Sequence, residues 1–389
     1  MNRTTANFET FKIFSTILGG DQLYLSAATQ HPEKSELLTE RIYAEIAARL
    51  ARDGFQIIHE RIFASLQHHP SIIKARATVM QAHGFSAASP LTFIQGHPVK
   101  GRGLAGVQIR AFKPSRAGDS VRTIYEGEIP VGKSWVRNGA SFQIVQNMHG
   151  SAGSSDHYHE SCEMFDRTQR VLQQDGTSFK NVLRTWIYLS NILDWYGEFN
   201  RARNARFTEY GILGLSEKEN TEAEQIYLPA STGILGENPD GAVSTMDVFA
   251  VADARNISIA HTSGVQQKSP YRYGSAFSRA MTLKEADVTH ILLSGTASID
   301  EHGKTAHVDD VRQQIRKTFQ VVQALIEKEG ATLSDINEAT VFLKDAQDLQ
   351  TYWDVAAEFG LLDLPAILLI ADVCRADLLF EIDAAVAFE

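Results

Sequence analysis

From Val311 to Leu325 the apolar positions fall at Val311, Ile315, Phe319, Val322 and Leu325, the spacing of a helix with one buried stripe. Gly330 follows, a residue type suited to the left-handed position that ends a helix. The next apolar run, "INEATVFL" from Ile336 to Leu343, is short and β-branched and reads as a strand. "LQTYWDVAAEF" then returns to helical spacing, and the apolar "LFEIDAAVA" closes the chain as a strand. The pattern predicts strand, helix, strand, helix, strand.

That unit recurs. "QDGTSFKNVLRTWIYLSNILDW" (Gln174 to Trp195) and "KEGATLSDINEATVFLKDAQDL" (Lys328 to Leu349) share one constant offset. Gly176 matches Gly330, Leu189 matches Leu343, and the pairs Phe179/Leu333, Val182/Ile336, Ile187/Val341 and Tyr188/Phe342 keep the apolar pattern. A weaker third copy, "RDGFQIIHERIFASL", surrounds Gly54. "QLYLSAAT", "SFQIVQNMHG" and "HILLSGTAS" are corresponding early strands, and a proline precedes the last strand of each copy at Pro90, Pro229 and Pro365. The closing strands are "GVQIRAF", "MDVFAVA" and "LFEIDAAVA", aligned so that Gln108, Asp247 and Glu381 correspond.

A sheet with helices on one face needs cover for the other, so the copies are expected to pack on one another. The expected fold class is α+β: three tandem units of mixed sheet with helices outside, forming a pseudo-trimeric monomer. The units are placed at residues 1–125, 126–265 and 266–389, the first being degenerate. "HGSAGSSDH" and "SGVQQKSPYRYGSA" are read as joins or lids.

Composition narrows the function. The 389 residues are 43% hydrophobic and 22% charged, as in a globular protein with a large core. A formal net charge of −10 argues against a nucleic-acid partner, and an anionic ligand would need a local arginine cluster. No apolar run reaches the roughly 20 residues of a membrane span. Two cysteines and no secretory signal at the N-terminus point to a reducing cytoplasm.

Candidate chemistry concentrates in "VCRADLLFEID" (Val373 to Asp383). A glutamate held among Leu379, Phe380 and Ile382 is placed to stay protonated near neutral pH and deliver a proton; the plainer role is a strand-end carboxylate paired with an arginine. Cys374 is either a small buried hydrophobe or a site thiol. Three further signals are weaker. "DHYHE" sets His157 and His159 beside Asp156 and Glu160 but offers no third metal ligand at a recognisable spacing, and is taken as a polar loop. "QHHP" (His68, His69) is taken as exposed loop. "GHPVKGRG" matches no phosphate-binding loop. No metal, nucleotide or organic cofactor is expected.

The last unit resembles the reactive-intermediate deaminase superfamily (YjgF-like) through "LSGTASID", "EKEGATLSDINEATVFLKD" and "FEIDAAVA". Those proteins are usually homotrimers with clefts between subunits. They carry an arginine and a small or thiol residue shortly after the proline here numbered Pro365, where this chain has Ile367 and Leu369. Across its whole length the chain is similar to a narrower group within that fold, the chorismatases. The carrying pieces are "RGLAGVQIRAF", "FNRAR", "PASTGI", "YRYGSAFSRAM" and "VCRADLLFEIDA".

This second resemblance implies an enzyme that releases pyruvate from the enolpyruvyl ether of chorismate. Glu381 would match the general acid that protonates the terminal carbon. Cys374 would match the thiol that accompanies 3-hydroxybenzoate formation, with 4-hydroxybenzoate or a dihydroxycyclohexadiene carboxylate as other products. Arg279 in "FSRA", Arg203 in "FNRAR" and Tyr273 would serve the substrate carboxylates. The resemblance implies no cofactor, no membrane or nucleic-acid partner, and a monomer with internal pseudo-threefold symmetry or a weak homo-oligomer. An enamine or imine deaminase and a non-enzymatic ligand-binding protein are the competing readings.

Overall fold

The computed structural model describes residues 1–153, 156–213, 228–262 and 276–389. In the first unit, β1 (Asn2–Asn7), β2 (Phe11–Leu18) and β3 (Gln22–Thr29) form a meander. Then come α1 (Ser35–Asp53), β4 (Gln56–Ala64), α2 (His69–Ala82), β5 (Thr92–Gln95), β6 (His97–Pro98) and β7 (Leu104–Phe112). The sheet runs β1-β2-β3-β7-β4-β5. Its one parallel pair joins β4 to β5, the two strands linked through α2.

The second sheet repeats this plan with β8 (Ser120–Glu126), β9 (Ile129–Arg137), β10 (Ala140–His149), β11 (Val182–Leu189), β12 (Ala230–Leu235) and β13 (Ser244–Asp253). Its helices are α3 (His157–Gln174) and α4 (Ile192–Glu209), and its order is β12-β11-β13-β10-β9-β8. The third comprises β14 (Ser258–Thr262), β15 (Ala280–Lys284), β16 (Thr289–Ala297), α5 (Val311–Glu327), β17 (Ile336–Leu343), α6 (Leu349–Glu358), β18 (Ala366–Ile370) and β19 (Phe380–Phe388). Its order is β14-β15-β16-β19-β17-β18-β6, so β6 crosses from the first unit to lie antiparallel on β18. The expected strand–helix–strand–helix–strand unit is therefore present three times. Each proline opens the short parallel strand, Pro365 just before β18 for example, and the antiparallel closing strand comes after it.

Strand alternation explains the packing. In β17, Val341 and Leu343 point to α5 and α6 and join Ile315, Phe319, Val322, Tyr352 and Val355 in one apolar core. Phe342, between them, faces the other way into a shared core with Phe63, Tyr188, Trp135, Phe142 and Phe249 from the other two sheets. The helices lie outside and the three sheets cover one another. Contacts run in a cycle, β5 meeting β10, β12 meeting β16, and β18 meeting β3 and β7. Three seams result.

At the centre the inward positions turn polar. The Trp186 ring has the guanidinium groups of Arg61, Arg110 and Arg184 at 4.9, 5.1 and 4.9 Å, one arginine from each of three strands. Glu338 accepts hydrogen bonds from Arg61 at 2.9 Å and Arg110 at 2.7 Å. Burial opposes its ionisation, but the two arginines prevail and hold its pKa at about 2. His59 Nε2 lies 2.8 Å from Asp247.

Three local expectations change. "DHYHE" is the start of α3, not a loop, with Asp156 accepting from the His159 amide as its N-cap. "HGSAGSSDH" connects β10 to α3 within the second unit and is not a join between units. "QHHP" leads into α2, with proline in its first turn, and is not a loop.

Candidate active site

Glu381 lies on β19, opposite Ala297 of β16 and Phe342 of β17. Phe380 and Ile382 face α5 and α6, which turns Glu381 and Asp383 to the seam between the second and third sheets. A bulge interrupts β16 between Leu293 and Thr296 and contains Gly295. A Cβ at Gly295 would stand 2.1 Å from Glu381 Oε1 and 3.3 Å from Thr232 Cγ2. The absent side chain is the space that the carboxyl occupies.

The register corrects one alignment. Phe63 opposes Gly106, Tyr188 opposes Thr245 and Phe342 opposes Glu381. Gln108 and Asp247 correspond to Asp383, one alternation further along. Hence the position of Glu381 carries an acid in the third unit alone, with Gly106 and Thr245 in its place elsewhere.

Glu381 is 4% exposed, and none of the described residues hydrogen-bonds its carboxyl. Burial, and then the charge of Asp383, raise its pKa to about 8 against the pull of Arg184 and Arg279. Asp383 is held 3.3 Å from Arg184, whose Nη2 also donates to Thr232. At neutral pH this buried carboxyl is largely protonated.

Arg203 sits on α4, buried, and donates to Asn200 at 2.6 Å. Its guanidinium lies 5.6 Å from both the Phe199 and Phe277 rings. Arg279, immediately before β15, lies 5.9 Å from the same Phe277 ring, so the two arginines from different units flank one phenylalanine. Cys374 is half-buried; burial and then Glu381 push its thiol up to about 12, and Arg375 and Arg203 do not offset this. The thiol is neutral near pH 7. Arg375 points away and donates to the Gly303 carbonyl at 2.8 Å. Tyr273 falls outside the described residues.

The seam is fastened by serines. Ser294 Oγ accepts from the Ser231 amide at 2.8 Å and donates to the Ser278 carbonyl at 2.5 Å, tying β12 to β16. Sequence reasoning brought Glu381, Cys374, Arg203 and Arg279 to this place and missed Tyr196, Thr232, Gly295 and Asp383. Tyr196 on α4 is within electrostatic reach of Cys374, Arg203 and Glu381, and burial raises its pKa. Asp383 was visible as the residue two beyond Glu381, on the same strand face. The described residues contain no cluster of three or more metal-ligating side chains, and no helix among them is long and apolar enough to cross a membrane.

Three mixed sheets packed in a cycle, helices outward, define a tandem α+β protein. Residues 274–388 match the family model described as Endoribonuclease L-PSP. The chain is 27% identical over 230 residues to a chorismatase of Streptomyces rapamycinicus, covering 54% of this chain and 65% of that protein. It is 26% identical over 243 residues to a 3-hydroxybenzoate synthase of Streptomyces hygroscopicus, covering 56% and 66%. These matches span just under two thirds of the relatives' lengths. A solved chorismatase structure superposes with a TM-score of 0.57 at 17% identity, over 85% of this chain and 92% of that one. The chain is thus similar in sequence to chorismatases and shares the fold of the solved one.

Proposed function

We propose that the protein is a cytoplasmic chorismatase, acting at the seam between its second and third units, with the first as a non-catalytic unit. The observation that carries the reading is Glu381, a buried carboxyl with a pKa of about 8 within the electrostatic reach of Arg184 and Arg279. At pH 7 such a group is about nine-tenths protonated. Protonated Glu381 gives its proton to the terminal methylene carbon of the enolpyruvyl ether. The double-bond electrons form the new C–H bond, and positive charge develops on the ether carbon and oxygen. The Glu381 carboxylate left behind stabilises that charge. Capture by water adds one water and yields pyruvate with a dihydroxycyclohexadiene carboxylate. Capture by the ring hydroxyl leads to pyruvate and a hydroxybenzoate, which together have the composition of chorismate.

Arg279 and Arg203 bind the substrate carboxylates, and Tyr273 adds a phenolic donor. Planar guanidinium groups suit carboxylates, and the buried Nε of Arg203 has no hydrogen-bond partner among the described residues. Cys374 steers the intermediate toward 3-hydroxybenzoate. A neutral thiol agrees with a steering role and not with a nucleophile. The deaminase alternative lacks support: Ile367 and Leu369, where the deaminases carry an arginine and a small or thiol residue, are buried in the apolar core between the sheets.

The test is pyruvate release from chorismate by the full chain. Glu381→Gln is expected to lower kcat at least a hundredfold with substrate binding retained, and wild-type turnover by this variant would refute the mechanism. Cys374→Ala is expected to change the product ratio more than the rate, and an unchanged ratio on chromatography would refute steering.

A further inference from the structure

We propose that the seam between the third and first sheets is a second ligand site, for a single-ring aromatic carboxylate. This inference rests on the fold and not on the chemistry assigned to the other seam.

The cyclic packing makes the two seams equivalent in plan. β18 and α6 stand to β3 and β7 as β12 and α4 stand to β16 and β19. The seam opens as a cavity of about 280 Å3, space for a one-ring molecule. Phe14, Ala105, Leu364 and Leu368 are among its apolar lining, with Trp353 of α6 presenting an aromatic face. Lys12, His31 and Lys100 also line it, and no carboxylate does. Asp363 lies outside the lining, 80% exposed, and pairs with Lys12 at 2.5 Å. In a chain of net charge −10, a hollow lined by Lys12, His31 and Lys100, with one carboxylate at its rim on Lys12, keeps Lys100 as the charge that suits a small anion.

This seam binds without reacting. Gly106 stands where the other seam has Glu381, and a Cβ there would meet Ile367 Cδ1 at 2.4 Å. No side chain, and so no proton donor, fits at that level. The ligand is held unchanged, ring against Trp353 and carboxylate toward Lys100.

Benzoate titrated calorimetrically into the full chain tests this, with Arg203→Ala to disable the anion site of the other seam. Saturable binding is expected to persist in Arg203→Ala. It should weaken about tenfold in Lys100→Glu, an exposed position outside the core. Benzyl alcohol, which lacks the charge, is expected to bind at least about tenfold more weakly than benzoate. Binding that vanishes in Arg203→Ala overturns the proposal. So does an affinity unchanged by Lys100→Glu, equal affinity for benzyl alcohol, or no saturation by about 10 mM.

Discussion

Replacing Glu381 by glutamine is expected to stabilise the fold, and more so as pH rises. The folded-state pKa of about 8 lies above the ordinary value of 4.5. The folded chain therefore holds a proton that the unfolded chain gives up. A group of this kind contributes its full stability below pH 4.5, and the contribution is lost as pH climbs through 8. Between those values the wild type should lose about 1.4 kcal/mol per pH unit relative to Glu381→Gln. The accumulated difference between pH 5 and pH 9 is on the order of 4 kcal/mol. At 4% exposure the carboxyl has little water to soften that cost. The assay is urea unfolding of both proteins at pH 5, 6, 7, 8 and 9, subtracting one free energy from the other. Subtraction removes every other titrating group. A difference flat in pH, or a glutamine variant that is the less stable at pH 9, would refute the assignment of a protonated buried acid.

Two further outcomes follow from the same geometry. Gly295→Ala places a methyl carbon 2.1 Å from Glu381 Oε1 and should displace the carboxyl; pyruvate release is expected to fall about a hundredfold while circular dichroism is unchanged. Glu338→Gln leaves Arg61 and Arg110 buried without their countercharge. A loss of about 3–5 kcal/mol is expected in denaturant unfolding, and a loss below about 1 kcal/mol would show that Trp186 and the remaining acids suffice.

The repeated units were legible because each alternates period 3.6 with period 2 around a glycine, and the stripe Ile315, Phe319, Val322 is the stripe that α5 buries. The site was legible in part. Glu381, Arg203 and Arg279 come from β19, α4 and the residue before β15, and resemblance brought them together where spacing had no means to do so. The register error has a plain cause. Glu381 and Asp383 lie two apart on one strand, so both face the seam and alternation cannot tell them apart. Bulges in β10 and β16, between Val145 and Met148 and between Leu293 and Thr296, add residues that shift any count along the strands. Gly295 escaped notice because its importance is a distance to a residue far along the chain.

Joining three related modules in one polypeptide frees each junction to evolve alone. Three identical chains in a ring would carry any substitution three times over, so an acid gained at one junction would appear at all. Here Glu381 was installed once, Ile367 could plug another gap, and β6 could be lent by the first module to the last without any copy having to match it. Covalent fusion turned a repeated motif into three separately editable places.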